Sequence, residues 1–198
     1  MIPNIKSIVF GGSFRPLHEG HLKCIDRVKS HFAESDVILQ RIQHPYYKDS
    51  STADNEKVLS LPFIHLDDHE GALYYFLEKN NLLNETTLYC CGSDHYKSLQ
   101  KWKNFAGLVT HINFYFFNRP SDLNLEKLDC IGLAHSWGVE LSEIQKTNEY
   151  RIYKNQYGCY WFFDMVHISP LSSTLIRNGE EQELSPNELK KWIEHFSN

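Results

Sequence analysis

The chain has 198 residues, of which 41% are hydrophobic and 23% are charged. This balance fits one globular domain over 1–198, with enough apolar side chains for a full core. A formal net charge of −5 gives no basic field for recruiting nucleic acid, and no apolar run reaches the roughly 18 residues of a membrane span. The first residues lack the apolar core of a signal peptide, so we expect a cytoplasmic protein with no membrane partner.

The five cysteines are an odd, scattered set: Cys24, Cys90, Cys91, Cys130 and Cys159. Two of them are adjacent inside an apolar run. This placement favours buried free thiols over a disulfide framework or a zinc site.

The first half of the chain alternates between strand-like and helix-like patterns. Strands are predicted at 5–10, 36–42, 87–92 and 111–117. Helices are predicted from His18 onward, at 71–81 and at 94–105, with a polar loop at 44–55. The alternation predicts an α/β fold, a Rossmann-like open parallel sheet with right-handed crossovers and helices on both faces.

The second half is less regular. Residues 121–165 are predicted to form a less regular insert, with a hairpin at 150–163. The end of the chain is clearer, because Ser185 and Glu188 form a capping-box pattern with a proline at the first helical position. We therefore predict a C-terminal helix at 186–196.

Polar clusters follow three of the predicted strands, at 11–21, 92–94 and 118–120. In an open parallel sheet, ligands bind outside the carboxyl ends of the strands. The three clusters are therefore expected to share one rim of the sheet.

The first cluster, "GGSFRPLHEGH", combines a glycine turn with a helix start. Gly11 and Gly12 allow a sharp turn and a close approach of a ligand. The helix start favours an anion, and His18 and His21 lie on one face of its first turn. The histidines therefore fit phosphate contacts better than a metal pair, for which further ligands are lacking, or plain helix surface. The spacing matches neither a Walker A loop nor HExxH.

A second anion-binding pattern lies near the end, in "SPLSSTLIRNG" (169–179). The hydroxyls of Ser172, Ser173 and Thr174 can cap a helix and donate to an anion, and Arg177 lies on the same face as Thr174. The alternative is a short capped helix with a surface arginine.

Together the two patterns resemble the HxGH nucleotidyltransferase superfamily, whose signatures are Gly-Gly-Thr/Ser-Phe-x-Pro-x-His-x-Gly-His and Ser-Ser-Thr-x-Ile-Arg. The middle of the chain narrows the resemblance. "CGSDHYKSLQKW" (91–102) and "FFNRP" (116–120) are similar to segments of nicotinate-mononucleotide adenylyltransferases, as is the terminal helix. The resemblance spans nearly the whole chain.

The resemblance implies a reaction of NAD biosynthesis. The phosphate of nicotinate mononucleotide would attack the α-phosphate of ATP, giving deamido-NAD and pyrophosphate. A phosphate nucleophile is already largely ionised at neutral pH, with a second pKa of about 6, so no general base is needed. Mg²⁺ would bridge phosphate oxygens, held mainly by substrate and water and not by protein ligands.

The resemblance also implies roles for particular residues. His18, His21 and Arg177 would be catalytic, with His21 stabilising the transition state. The ATP site would comprise Gly11, Gly12, Ser13, Phe14, His18, His21, Gly92, Asp94, Ser172, Ser173, Thr174 and Arg177. The mononucleotide site would comprise Ser13, Lys48, Trp102 and Arg119. Asp94 would accept from a ribose hydroxyl, and Trp102 would stack on the pyridine ring, unless it is a core residue.

Two features depart from the family pattern. Arg15 stands where the family usually has an acidic or amide residue, and would either add an anion contact or point away. The loop that contains Lys48 matches only loosely. These departures would favour one alternative, a nucleotide-binding protein without turnover. The other alternative is an enzyme that uses nicotinamide mononucleotide or another phosphate acceptor, because the choice between acid and amide depends on only one or two contacts.

Overall fold

The structure is a computed structural model that describes residues 3–43, 52–118, 125, 128–167 and 183–198. Its centre is an eight-stranded sheet in the order β3-β2-β1-β4-β5-β8-β7-β6. The strands are β1 (Ser7–Gly12), β2 (Asp36–Ile42), β3 (Ile64–Asp68), β4 (Thr87–Gly92), β5 (Asn113–Asn118), β6 (Leu141–Lys146), β7 (Tyr150–Asn155) and β8 (Tyr160–His167). Six neighbouring strands of the sheet are mutually parallel: β3, β2, β1, β4, β5 and β8. Beyond β8, strands β7 and β6 continue the sheet with antiparallel pairing at one edge.

Helices cover both faces of this sheet. They are α1 (Glu19–His31), α2 (Thr52–Leu59), α3 (Leu73–Lys79), α4 (Ser93–Tyr96), α5 (Phe105–His111), α6 (Cys130–Ser136) and α7 (Pro186–Ser197), with a 3₁₀ turn at Leu99–Lys101. The core divides into two apolar clusters. Successive residues of a strand point to opposite faces, so Val9 packs with α3, α5 and α6, whereas Ile8 packs with α1 and α7. The predicted α/β class is confirmed. In the described part of the chain, no helix is long and apolar enough to cross a membrane.

The structure corrects the expectation of a less regular insert at 121–165. Residues 130–165 form α6 and the three strands β6, β7 and β8, which complete the main sheet. The hairpin of β7 and β8 is confirmed. Strand β6 escapes prediction because it is an edge strand whose residues after Leu141 are all exposed, so it lacks an alternating apolar pattern.

Other boundaries also shift. Strand β3 was not predicted, because this edge strand buries only Asp68. The helix predicted at 94–105 is broken into α4, the 3₁₀ turn and the start of α5. Asn104 takes a left-handed conformation with φ of 53° and caps α5, so that α5 begins separately at Phe105. Helix α2 begins inside the loop predicted at 44–55.

Two further expectations hold. The C-terminal helix extends one residue beyond 186–196 and begins with the predicted capping box, in which the Ser185 N–H donates to a Glu188 carboxylate oxygen at 2.9 Å. None of the five cysteines is in a disulfide, and four of them are buried while Cys24 is half-buried.

The strand order places a crevice at one point of the rim. From β1 the chain moves outward to β2 and β3, then returns to place β4 on the other side of β1. The carboxyl ends of β1 and β4 therefore flank a topological switch point, where open α/β sheets bind ligands.

Candidate functional site

The predicted polar clusters do share one rim. Strands β1, β4 and β5 are parallel neighbours, and they end at Gly12, Gly92 and Asn118. The last two residues of the third cluster, 119–120, lie outside the described residues. The rim is the C-terminal edge of the parallel sheet, as expected for a ligand site.

The glycine turn makes room for the protein's own side chains. A Cβ at Gly11 would overlap the Tyr89 hydroxyl and lie 2.7 Å from Gln40 Oε1. A Cβ at Gly12 would lie 3.3 Å from the ring of Phe14, which is buried and has a φ of 50°. The glycines thus let Tyr89, Gln40 and Phe14 reach the backbone at the end of β1.

His18 and His21 form a compact pair at the start of α1. His18 is the N-cap residue and is only 5% exposed. The two imidazole centroids are 3.7 Å apart, and the His18 backbone N–H donates to His21 Nδ1 at 3.3 Å. Because Nδ1 of His21 accepts, its neutral ring carries the proton on Nε2. Phe14 packs edge-on against His21 with centroids 5.1 Å apart, which fixes the second ring.

Arg15 contacts the end of β2. Its Nη2 donates to Gln43 Oε1 at 2.6 Å, and Gln43 Nε2 donates to Asp67 Oδ1 at 2.9 Å. Arg41 forms an ion pair with the same Asp67 oxygen at 2.8 Å. The arginine that departs from the family motif therefore joins the glycine turn to the ends of β2 and β3.

A cavity of about 600 Å³ lies beside the glycine turn, at the carboxyl ends of β2 and β3. It is lined by Gln40, Ile42, Asp68, Gly71, Ala72, Leu73, Tyr89, His95, Lys101, Trp102 and Lys103. Trp102 is half-buried: it packs edge-on against Tyr89 and His95, with centroids 5.8 and 5.7 Å away, and also lines the cavity. Trp102 is thus both a core residue and a cavity wall.

Sequence reasoning did not identify two buried polar residues of the cavity wall, Gln40 and Asp68. Gln40 is 2% exposed and donates through Nε2 to Asp68 Oδ2 at 2.7 Å. The other Asp68 oxygen accepts from the backbone N–H groups of Glu70 and Gly71. Within the described residues, Gln40 Oε1 has no hydrogen-bond partner. A glutamine inside the apolar run "VILQRI" was the available signal.

The remaining predicted residues divide into two groups. Gly92 is buried at the end of β4, Asp94 is exposed in the first turn of α4, and Ser13 is half-buried after β1. The others lie outside the described residues: Lys48, Arg119, Ser172, Ser173, Thr174 and Arg177. The proposed phosphate contacts of that second group remain predictions.

Burial sets the protonation of the tyrosine in the cavity wall. It raises the pKa of Tyr89 well above its usual value, with smaller contributions from Cys91, Cys90 and Asp68. Tyr89 therefore keeps its hydroxyl proton at neutral pH. In the part of the chain that the structure describes, no group of three or more His, Cys, Asp or Glu could hold a metal ion.

Comparison with known proteins shows which curated proteins this chain resembles. Three curated proteins named "Probable nicotinate-nucleotide adenylyltransferase" are similar to this chain. That of Fusobacterium nucleatum is 25% identical over 142 residues, covering 62% of this chain and 72% of its own. That of Hahella chejuensis is 27% identical, covering 57% of this chain and 60% of its own. That of Solibacter usitatus is 21% identical, covering 72% of this chain and 87% of its own.

A family model described as Cytidylyltransferase-like matches residues 9–179, which is most of the chain. The match begins in β1, just before the glycine turn, and includes both histidines and the whole cavity. The chain therefore belongs to the cytidylyltransferase-like family, the nucleotidyltransferase group to which its sequence motifs point.

Proposed function

We propose that this protein transfers the adenylyl group of ATP to nicotinate mononucleotide, giving deamido-NAD and pyrophosphate. The observation that carries the proposal is a pair of adjacent sites separated by the glycine turn. On one side lie His18 and His21 at a helix N-terminus. On the other side lies the cavity with Trp102 in its wall. The first suits a polyphosphate, and the second suits a heteroaromatic ring.

The chemistry needs positioning and charge neutralisation. An oxygen of the acceptor's phosphate forms a bond to the α-phosphorus of ATP, and the bond from that phosphorus to the bridging oxygen breaks as pyrophosphate leaves. Negative charge spreads over the α-phosphate oxygens in the transition state. A donor fixed in advance toward that charge lowers the barrier. His21 Nε2–H is such a donor, because the His18 backbone and Phe14 hold its ring.

The other predicted residues complete this scheme. Arg177, Ser173 and Thr174 would hold the β- and γ-phosphates, and Asp94 would accept from a ribose hydroxyl. Lys48 and Arg119 would bind the acceptor's phosphate, and Trp102 would stack on its pyridine ring. Mg²⁺ would neutralise phosphate charge, held mainly by phosphate oxygens and water.

The test is turnover with each acceptor. We expect the purified protein, given MgATP, to release pyrophosphate faster with nicotinate mononucleotide than with nicotinamide mononucleotide, and to form deamido-NAD. A reaction without any acceptor controls for ATP hydrolysis. Equal or faster turnover with the amide would overturn the substrate assignment. Clear ATP binding without turnover on any acceptor would instead favour a nucleotide-binding protein.

A further inference from the structure

A fully buried carboxylate anchors helix α1 to the sheet. Asp164 of β8 is 0% exposed, and its Oδ2 accepts from Arg27 Nε of α1 at 3.0 Å and from the Tyr115 hydroxyl of β5 at 2.7 Å. We propose that Arg27 and Asp164 are positioning residues, which fix α1 on the sheet and so set where the His21 donor lies. The proposal rests on the proposed function, in which His21 acts on the α-phosphate.

The other oxygen of this carboxylate is also bound. The backbone N–H of Val166 donates to Asp164 Oδ1 at 3.0 Å, and Arg27 Nη2 lies 3.5 Å from the same oxygen. Burial, together with the charge of Asp164, raises the pKa of Tyr115, so its hydroxyl keeps the proton and remains a donor. The carboxylate therefore joins α1, β5 and its own strand at a single point.

Arg27 binds two carboxylates with the planar fork of its guanidinium. Its Nε donates to Asp164, and its Nη2 donates at 2.9 Å to Oε2 of Glu149, in the connection before β7. Burial opposes the charge of Arg27, but the hydrogen bonds to both carboxylates raise its pKa above the ordinary value. The two bonds fix the orientation of the side chain. A lysine is a point charge on a flexible stem and would not reproduce them.

Asp164 also shapes the end of β8. The preceding residue of β5 pairs with Asp164, but Asn118 pairs with His167, so the two residues between them in β8 form a bulge. The bond from the Val166 N–H to Asp164 stabilises this bulge, and bulges re-aim strands beside active sites. In the sequence, β8 leads toward 172–177, the second predicted phosphate motif. Asp164 thus ties the helix that carries one phosphate motif to the strand that precedes the other.

A buried ion pair is a poor means of stabilising a fold. Taking two charges out of water costs about as much free energy as their attraction returns, and apolar side chains of similar volume are often as stable. In this molecule the pair provides a defined geometry. His21 lies six residues before Arg27 on the same helix, about 9 Å along its axis. Because a misplacement of about 1 Å can cost about 10²-fold in rate, we expect the anchor to affect the reaction more than stability.

The test begins with a substitution that keeps the charge. Arg27→Lys leaves a cation beside Asp164 but loses the simultaneous bond to Glu149. We expect kcat for adenylyl transfer to fall about 10-fold or more, with a much smaller change in MgATP affinity measured by calorimetry. The matched control is Asp26→Asn, which removes an exposed ion pair between the same helix and His195 of α7. The control should leave kcat unchanged.

A double-mutant cycle shows whether Arg27 acts through His21. In the His21→Ala background, Arg27→Lys should have little further effect on kcat, because the donor that it positions is already gone. A purely structural role would lower kcat by the same factor in both backgrounds. Glu149→Gln removes one of the two bonds of the guanidinium from an exposed side chain, so the variant should fold and show a smaller loss of the same kind.

NMR of the protein without ligands reads the position of His21 independently of turnover. The imidazole resonances of His21 are identified by their loss in His21→Ala. The stacked ring of His18, 3.7 Å away, makes them sensitive to small displacements. Arg27→Lys and Glu149→Gln should shift these resonances, whereas Asp26→Asn should not.

The outcomes separate this inference from the proposed function. Shifted His21 resonances in a protein that forms no dinucleotide would support the inference and overturn the proposed reaction. Unchanged resonances in both variants, an unchanged kcat in Arg27→Lys, or equal kcat losses in the two backgrounds would overturn the inference and leave adenylyl transfer intact.

Discussion

The imidazoles of His18 and His21 are stacked with centroids 3.7 Å apart, and the His18 backbone N–H donates to His21 Nδ1. One helix start therefore orients both rings and assigns the proton of the second ring to Nε2. The spacing of three residues in the sequence predicted a shared face. The structure adds the hydrogen bond that leaves Nε2 of His21 as the proton-bearing nitrogen, the donor that the proposed function assigns to a phosphate.

His21→Ala should lower kcat by at least about 10²-fold, the scale for losing one preorganised donor to a transition state. The loss should fall on kcat more than on ATP affinity, because the contact strengthens as charge develops. The measurement is initial-rate kinetics of pyrophosphate release. His111→Ala is the control, since His111 ends α5 just before β5 begins, at the opposite end of the sheet. A near-normal kcat in His21→Ala would remove His21 from the mechanism.

Gly11→Ala should destabilise the fold by about 1–3 kcal/mol, the usual cost of overpacking, because the new Cβ would overlap the Tyr89 hydroxyl. Tyr89→Phe removes that oxygen, so the double variant should recover part of the loss. Urea unfolding of both single variants and the double variant measures this coupling. If Tyr89→Phe gave no recovery, the hydroxyl would not be what requires glycine at this position.

Arg15 and Gln43 should be energetically coupled. Their hydrogen bond is 2.6 Å long and half-buried, and bonds to a charged group contribute about 1.5–3 kcal/mol. In a double-mutant cycle of Arg15→Ala and Gln43→Ala, we expect a coupling of at least about 1 kcal/mol in the free energy of unfolding. The prediction is contradicted if the two substitutions have strictly additive effects on the free energy of unfolding. If, in addition, Arg15→Ala raises the KM for ATP, the arginine contacts phosphate.

The thiols should be poorly reactive in the folded protein. Burial raises the pKa of Cys159 to about 11 and that of Cys130 to about 12, so both stay protonated at about pH 8. Only the thiolate attacks an alkylating agent. Native protein should therefore incorporate label mainly at Cys24, the half-buried one, and all five should react in concentrated urea. Rapid native labelling of Cys159 would contradict its burial.

Local patterns predicted the parts of the fold that carry a strong local signal. Buried strands such as β4 and β5 are mostly apolar runs, and the capping box at Ser185 fixes the start of α7. The edge strands β3 and β6 were missed because they bury few side chains. What holds them is backbone pairing with one neighbour, β2 for β3 and β7 for β6, which leaves no periodic pattern of apolar side chains in the sequence.

The same limit applies to the site. The two histidines are three residues apart, so helical geometry alone places them together. Gln40 and Asp68 are 28 residues apart, as are Arg15 and Gln43. Only the register of β1, β2 and β3 brings each of these pairs into contact, and that register is a property of the folded sheet.

The central claim is that the acceptor attacks the α-phosphate of ATP. Its most direct test supplies MgATP radiolabelled at either the α- or the γ-phosphate, together with nicotinate mononucleotide, and separates the products. The account predicts that the α label enters the dinucleotide and that the γ label is recovered entirely in pyrophosphate. Recovery of the γ label in free phosphate or in a phosphorylated acceptor, with the α label left in ADP, would contradict it.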